Sequence, residues 1–242
     1  MNEAKPLGRK AYGSIPHLPN SRLGPRDYSI SEGQARILTE KARDKHDTIT
    51  VTEKLDGSCS AVAKVNGSII PLTRSGHVAT TSQYEHYHHF AHWVREREHV
   101  FGALLDEGER VVGEWLGMAH GTIYDLTNTQ PWRPFDLFLS NNERVSTPEF
   151  TWRVESLGLH PVVYLHYGEP ISVDNALSLL HLFGMPTAGG PQEGVVYRCE
   201  RKDKVDFLAK FVRPDKIDGC YLPNEERAPL WLWRPVETVV PA

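Results

Sequence analysis

The chain has 242 residues, 40% hydrophobic, 24% charged and 10% aromatic, a composition that supports a sizeable buried core and excludes collagen, coiled coil and general disorder. Lysine and arginine number 27 against 31 aspartates and glutamates, a formal charge of −4, which excludes a polycationic coat but not local basic patches. The three cysteines, Cys59, Cys199 and Cys220, are widely spaced and form no Cys-x-x-Cys pair, so neither a disulfide framework nor structural zinc is expected, and a reducing cytoplasm is. No apolar run approaches the ~18 residues of a membrane span, and the first residues lack the apolar stretch of a signal peptide. A soluble, cytoplasmic protein without membrane contact is expected.

Residues 1–30 are rich in proline, glycine, serine and asparagine and read as a looped lead-in. Ser31 with Gln34 forms a capping box that opens a helix to about Lys45. Thr48–Glu53 and Ser60–Val65 are β-branched strands; Asn66-Gly67 then turns the chain into a third strand, from Ser68 to about Arg74. A second capping box, Ser82 with Glu85, predicts a longer helix toward Leu105. Short strands follow near Arg110–Leu116 and Phe135–Leu139. Helices are expected from Thr147, with Pro148 in its first turn and a stop at Gly158, and over Val173–Phe183, stopped by Gly184 and Pro186. Gly194–Arg198 and Val205–Val212 close the pattern as a strand pair. Hairpin connections predominate over βαβ crossovers, which predicts an α+β fold with antiparallel sheets. No repeat or linker interrupts the chain, and one domain over 1–242 is expected, with a lead-in (1–30) and a C-terminal tail (217–242) packed on it.

Charge is uneven along the chain. Residues 196–216 hold seven basic against four acidic side chains, and residues 1–31 hold five against two. Two readings stand: ordinary solvated surface, or a surface built from both ends that faces a polyanion.

The string Glu53-Lys54-Leu55-Asp56-Gly57 places a lysine at a strand end, followed by a glycine that would let backbone approach a ligand. Desolvation there would lower the lysine's pKa and free its amine as a nucleophile. Alone the string is also compatible with a surface turn. In order along the chain follow Arg74 after a hairpin strand, Glu114 in Val112-Gly113-Glu114-Trp115, Phe135 in Phe135-Asp136-Leu137-Phe138, Glu193 in Glu193-Gly194-Val195-Val196, and Lys210 in Ala209-Lys210-Phe211. This ordered set resembles the six nucleotidyltransferase motifs of the covalent lysyl-nucleotide superfamily, which contains ATP-dependent DNA and RNA ligases and mRNA capping enzymes. The resemblance covers about residues 50–215, and the lead-in string Tyr12-Gly13-Ser14-Ile15-Pro16-His17-Leu18 is similar to the opening of RNA ligase domains.

The resemblance implies an α+β nucleotidyltransferase (ATP-grasp-like ligase) domain with antiparallel sheets flanked by helices. It implies that Lys54 attacks the α-phosphate of ATP to form a lysyl-AMP, that Glu53 helps read the adenine edge, and that Arg74 holds ribose or a substrate phosphate. Glu114 would accept from the ribose hydroxyls, Phe135 would stack on adenine, Glu193 would orient a Mg²⁺ or Mn²⁺ ion, and Lys210 would neutralise the α-phosphate. Cations on the phosphate oxygens and a stacking ring are what such a reaction requires. The last motif of the superfamily usually carries two lysines one residue apart. Here Leu208 and Val212 flank Lys210 at that spacing, which leaves Lys210 alone or joined by Arg213 or Lys204.

DNA ligases and capping enzymes of this superfamily carry a following OB-fold of roughly a hundred residues, whereas 32 residues follow Lys210. No OB domain fits, and an RNA ligase acting on RNA ends or a nicked RNA duplex is expected. The alternatives are a minimal DNA nick-sealing ligase and a catalytically silent RNA-repair accessory protein. Two further clusters stand outside the motifs. His86, His88, His89 and His92 read as an amphipathic helix surface, with phosphate contact or a zinc site as the rival readings. Trp231-Leu232-Trp233-Arg234 reads as a packed tail, with a base-stacking platform as the rival.

Overall fold

The β-branched run 48–52 becomes the middle strand of one of two antiparallel sheets that face each other across the molecule. The structure is a computed structural model and describes residues 5–217, 219–222 and 228–235. Its strands are β1 (Asp47–Lys54), β2 (Ser58–Val65), β3 (Ser68–Thr73), β4 (Arg110–Trp115), β5 (Ile123–Tyr124), β6 (Trp132–Phe138), β7 (Tyr164–Gly168), β8 (Thr187–Gly189), β9 (Gly194–Arg201) and β10 (Lys204–Val212). Its helices are α1 (Glu32–Thr39), α2 (Glu85–Arg95), α3 (Glu98–Leu104), α4 (Thr147–Glu155) and α5 (Val173–Phe183). One sheet runs β10-β9-β1-β7 and the other β3-β2-β4-β6; β5 and β8 form a small pair apart. All strand pairings are antiparallel, as the hairpin-rich sequence predicts.

The period-two pattern of β1 decides which face looks where. Ile49 and Val51 pack with Leu38 of α1, Leu180 of α5 and Tyr197 of β9, while Thr50, Thr52 and Lys54 line a cavity on the opposite face. On the second sheet Trp115 and Trp132 face away from that cavity. Phe90 and Trp93 of α2, Phe101 of α3 and Phe150 of α4 bury against Trp115 of β4 and Trp132 of β6. Each of these fully buried rings contributes roughly 2–3 kcal/mol. The inner faces of both sheets are therefore left to form the cavity.

The lead-in straps the two sheets together. The amides of Ala11 and Tyr12 donate to the Arg74 carbonyl just beyond β3, at 3.1 and 3.2 Å, while the Lys210 amide of β10 donates to Pro16 at 2.9 Å. The Leu18 amide returns a bond to the Lys210 carbonyl at 2.8 Å. Residues 228–235 dock on the second sheet's end: Leu232 and Trp233 donate to the Gly117 carbonyl, and the Trp233 ring meets Trp115 edge-on at 5.3 Å. Among the described residues no helix is long and apolar enough to cross a membrane.

Four expectations need correction. The first helix ends at Thr39, not Lys45, because residues 40–46 turn to present Arg43, whose guanidinium and amide both bind Asp47 at the start of β1. The helix expected over 82–105 is two helices. The Ser82 hydroxyl accepts from Tyr84 in a local turn rather than capping α2, and the backbone leaves the helical region at Arg97, whose guanidinium lies over Trp93 at 4.4 Å and donates to its carbonyl. Strand β7 was not expected: Tyr-Leu-His-Tyr-Gly carries little alternation, and its place at the sheet edge beside β1 comes from pairing with a distant segment. The basic stretch 196–216 does not face one way. Arg198 is buried on Asp136 at 3.0 Å, and Arg201, at the far end of β9, clamps Asp44 and Asp47 at 2.6 and 2.9 Å.

Candidate active site

The cavity between the sheets has a volume of about 450 Å³, within the range of small-molecule sites. Every residue carrying the motif resemblance lines it: Glu53, Lys54, Arg74, Glu114, Phe135, Glu193 and Lys210. They come from four strands and two connections, and strand register brings them together. In the β1–β9 ladder Lys54 pairs with Gly194, which sets Glu193 beside it, and Lys54 Nζ donates to Glu193 Oε2 at 2.6 Å. In the β2–β4 ladder Cys59 pairs with Glu114, turning that carboxylate toward the same space. Gly194 is required for steric reasons, since a Cβ there would collide with the Phe211 carbonyl of β10.

Gly57 lines the cavity and is also required for packing. A Cβ on it would stand 2.5 Å from the Trp115 carbonyl and 3.1 Å from Glu114 Cγ. The glycine lets the β1–β2 connection close on β4.

The lysine's ionisation also departs from expectation. Burial works to lower the Lys54 pKa, but the carboxylates of Glu193, Glu114 and Asp56 outweigh it, and the net shift is upward. Lys54 therefore rests as an ammonium held by its acidic neighbours. Glu114 is pushed up to about 8, first by burial and then by Glu193 and Asp56. Glu193 is raised by burial and then by Asp56, against the pull of Lys54 and Lys216. Lys210 is lowered by burial and by Lys54; its Nζ lies 3.9 Å from Asp27 Oδ1.

The remaining expected residues frame the cavity's mouth and floor. The Arg74 guanidinium donates to the Gly13 carbonyl and Ser14 hydroxyl at 3.2 and 3.3 Å. The Phe135 ring meets Tyr12 of the lead-in edge-on at 5.1 Å, so the strap holds that ring in place. Glu53 is 2% exposed. Its Oε2 accepts from the Met185 amide at 2.8 Å, its Oε1 has no partner, and burial raises its pKa to about 7.

Sequence reasoning missed the clasp behind Lys54. Asp56 Oδ2 accepts from the Gly121 amide and from Lys216 Nζ, each at 2.6 Å, and Lys216 also donates to Thr122 Oγ1 at 2.9 Å. The Asp56 amide donates to the Tyr124 hydroxyl at 2.9 Å. Lys216 is 3% exposed and lies in the loop after β10. Neither cation named for the last motif lines the cavity among the described residues: Arg213 pairs with Asp215 at 2.8 Å, and Lys204 opens β10 at its far end, opposite Arg201. No sequence spacing marks Lys216 as the partner of Asp56.

The histidines of α2 scatter. His88 bonds the Ser82 carbonyl at 2.6 Å, His92 faces Glu96 at 3.3 Å, and His89 faces Glu85 at 3.4 Å under the Trp231 ring. Among the described residues no group of three potential ligands converges on a metal position, and Trp231 is packed rather than presented. His86 is 8% exposed, with its ring 6.4 Å from His120. Burial foremost, then His120, His89 and His88, lower its pKa to about 4. An unfolded histidine titrates near 6.5, so between those values the unfolded state binds the extra proton. His86's contribution is then complete above about pH 6.5 and lost as pH falls toward 4. Lowering pH from 7 to 5 should withdraw about 2 kcal/mol of stability through this group. Urea unfolding at the two pH values checks this: His86→Gln should show a correspondingly smaller acid loss, and equal losses would disprove the assignment.

Facing sheets, a strand-end lysine and its acidic neighbour across the β1–β9 ladder define a nucleotidyltransferase-type α+β domain, with no OB-fold among the described residues. The sequence model of the RNA ligase family matches residues 47–212. The chain belongs to the RNA ligase family. Among solved structures it is similar to the Naegleria gruberi RNA ligase with PPi, at 20% identity and a TM-score of 0.51, covering 69% of this chain and 50% of that one. It also matches an archaeal ATP-dependent RNA ligase (18% identity, TM-score 0.48, 83% and 48% covered) and an Aquifex aeolicus putative ATP-dependent DNA ligase (15%, 0.49, 83% and 49%). At 20% identity the likeness to the Naegleria gruberi structure shows the fold alone, and the chain spans about half the length of the structures it matches. No curated protein matches.

Proposed function

We propose that the protein is an ATP-dependent RNA ligase of the cytoplasm that joins 3′-hydroxyl and 5′-phosphate RNA ends, free or at a nick. One observation carries the reading: all seven residues of the motif set line a single cavity of about 450 Å³ between the sheets. A nucleotide fits their chemistry. Phe135 offers an aromatic face, the unpartnered Glu53 Oε1 an acceptor for an exocyclic amine, Glu114 an acceptor for sugar hydroxyls, and Arg74 and Lys210 cations for phosphate.

In the first step Lys54 gives up a proton, for which Glu193 at 2.6 Å is the near acceptor, and its amine attacks the α-phosphorus of ATP; the bond to the β-phosphate oxygen breaks, pyrophosphate leaves, and Lys54 carries AMP. An oxygen of a 5′-phosphate end then attacks the AMP phosphorus, the P–N bond to Lys54 breaks, and the amine takes back its proton. Attack by a 3′-hydroxyl on that phosphorus forms the phosphodiester and releases AMP. Lys210 neutralises charge on the phosphorus that reacts in each step. A divalent ion fits Glu193 as well, since a buried carboxylate on the cavity wall suits an ion held by one carboxylate, phosphates and water. When bound, Mg²⁺ or Mn²⁺ would neutralise the leaving pyrophosphate and draw the Glu193 charge away from Lys54.

Incubation with α-labelled ATP and Mg²⁺ or Mn²⁺, followed by denaturing electrophoresis, tests the reading; an unlabelled band would refute it. Nicks ending in ribose should be sealed faster than those ending in deoxyribose, and the reverse would favour a DNA ligase. Glu193→Ala and Glu114→Ala should fail differently. Labelling by the Glu193 variant should recover in part as metal concentration rises, whereas the Glu114 variant should need more ATP and show no metal rescue. Identical metal responses would refute this division.

A further inference from the structure

A second, larger groove opens beside the nucleotide-sized cavity. It encloses about 980 Å³ and shares Tyr12, Arg74 and Tyr87 with its neighbour. Lys10, His77, Ser82 and Tyr84 extend it outward. No carboxylate lines it, although acids outnumber bases along the chain. Hydroxyls, two fixed cations and an imidazole suit a ligand rich in anionic oxygens.

Tyr84 adds a second requirement. Its ring is 55% exposed and lies nearly parallel to His86, with centroids 5.7 Å apart and an interplanar angle of 22°. The residue precedes α2 without a side-chain capping bond. A large flat ring, supported on one side and open on the other, serves neither the core nor the helix start. An anionic chain that also carries flat aromatic groups satisfies both features, and a polynucleotide strand is such a chain.

We infer that this groove holds the terminal nucleotides of the polynucleotide strand whose end enters the first cavity, with Lys10 and Arg74 on its phosphates and Tyr84 stacked on a base. The inference rests on the ligase reading of that cavity. Arg74 is the hinge of the arrangement, because it borders both spaces while its guanidinium is held by the lead-in at Gly13 and Ser14. The lead-in is thus a wall of the strand path and also the tie between the sheets. The basic stretch at residues 196–216 has no part in the groove.

The test is fluorescence anisotropy of a short 5′-phosphorylated RNA oligonucleotide with the full chain, run beside covalent labelling by ATP. Tyr84→Ala should raise the Kd about tenfold, as loss of one base stack does. Lys10→Glu should raise it and also flatten its dependence on salt, because one phosphate contact and its released counterion are gone. Lys202→Glu, in the turn between β9 and β10 at the far end of the sheet from Gly194, should leave the Kd unchanged. All three variants should accept label from ATP within about twofold of the parent. Parent-like RNA binding by both groove variants, or no RNA binding by the parent, would overturn the groove. Failure of the parent to label would instead overturn the ATP reading of the first cavity, and the binding series reads out the groove independently of it.

Discussion

Lys54→Ala is expected to abolish covalent labelling by ATP, a loss limited only by the assay's background. Lys54 Nζ is the amine in the cavity that meets a carboxylate, Glu193, at 2.6 Å, and its side chain keeps 23% exposure toward the cavity. Lys54→Arg should be equally inactive, because a guanidinium does not give up its proton to become a nucleophile. The arginine variant restores positive charge beside Glu193, Glu114 and Asp56, the three carboxylates that hold Lys54 charged. It should therefore unfold closer to the parent than the alanine variant does, while labelling no better. Labelling by either variant would disprove Lys54 as the nucleophile, and urea unfolding separates a chemical defect from a folding one.

The largest stability effect is expected at Lys216, outside the motif set. Lys216→Ala removes the cation from a pair whose lysine side chain is 1% exposed and leaves Asp56 with the Gly121 amide as its remaining close donor. Breaking one side of a buried pair costs roughly 3–5 kcal/mol. The clasp also ties the loop at 121–122 to the connection that carries Lys54, so labelling should fall along with stability. Asp56→Asn combined with Lys216→Met should recover most of the stability. The asparagine oxygen still accepts from Gly121, and the methionine fills the lysine's space without an uncompensated charge. If labelling stays low in this stable double variant, the ion pair itself positions the reacting strand end. Equal losses in Lys216→Ala and the double variant would overturn this account, because packing restored without a stranded charge would then not suffice and the ion pair itself would carry the stability.

Much of the site was legible because its residues are bound to local patterns. The lysine ends a β-branched run, Glu114 sits in an apolar strand, and Glu193 precedes a glycine that only a crowded strand start demands. Their order along the chain was enough to recognise a resemblance and to place each on a strand or turn. The two helix boundaries that failed did so where a side chain outbid the local signal: Arg43 for Asp47, and Arg97 for Trp93.

By itself the sequence determined the alternation of β1, the hairpin at Asn66-Gly67 and the α+β class, because period and turn chemistry act over a few residues. Tertiary structure alone decided the rest. That Lys54 rests charged depends on Glu193 and Glu114, which β9 and β4 deliver from far along the chain. That Lys216 serves Asp56 while Arg198 and Arg201 are spent on Asp136, Asp44 and Asp47 depends on which charges burial forces to pair. Whether a basic residue faces a ligand or an internal acid is set by long-range register and desolvation, and neither is written in local sequence.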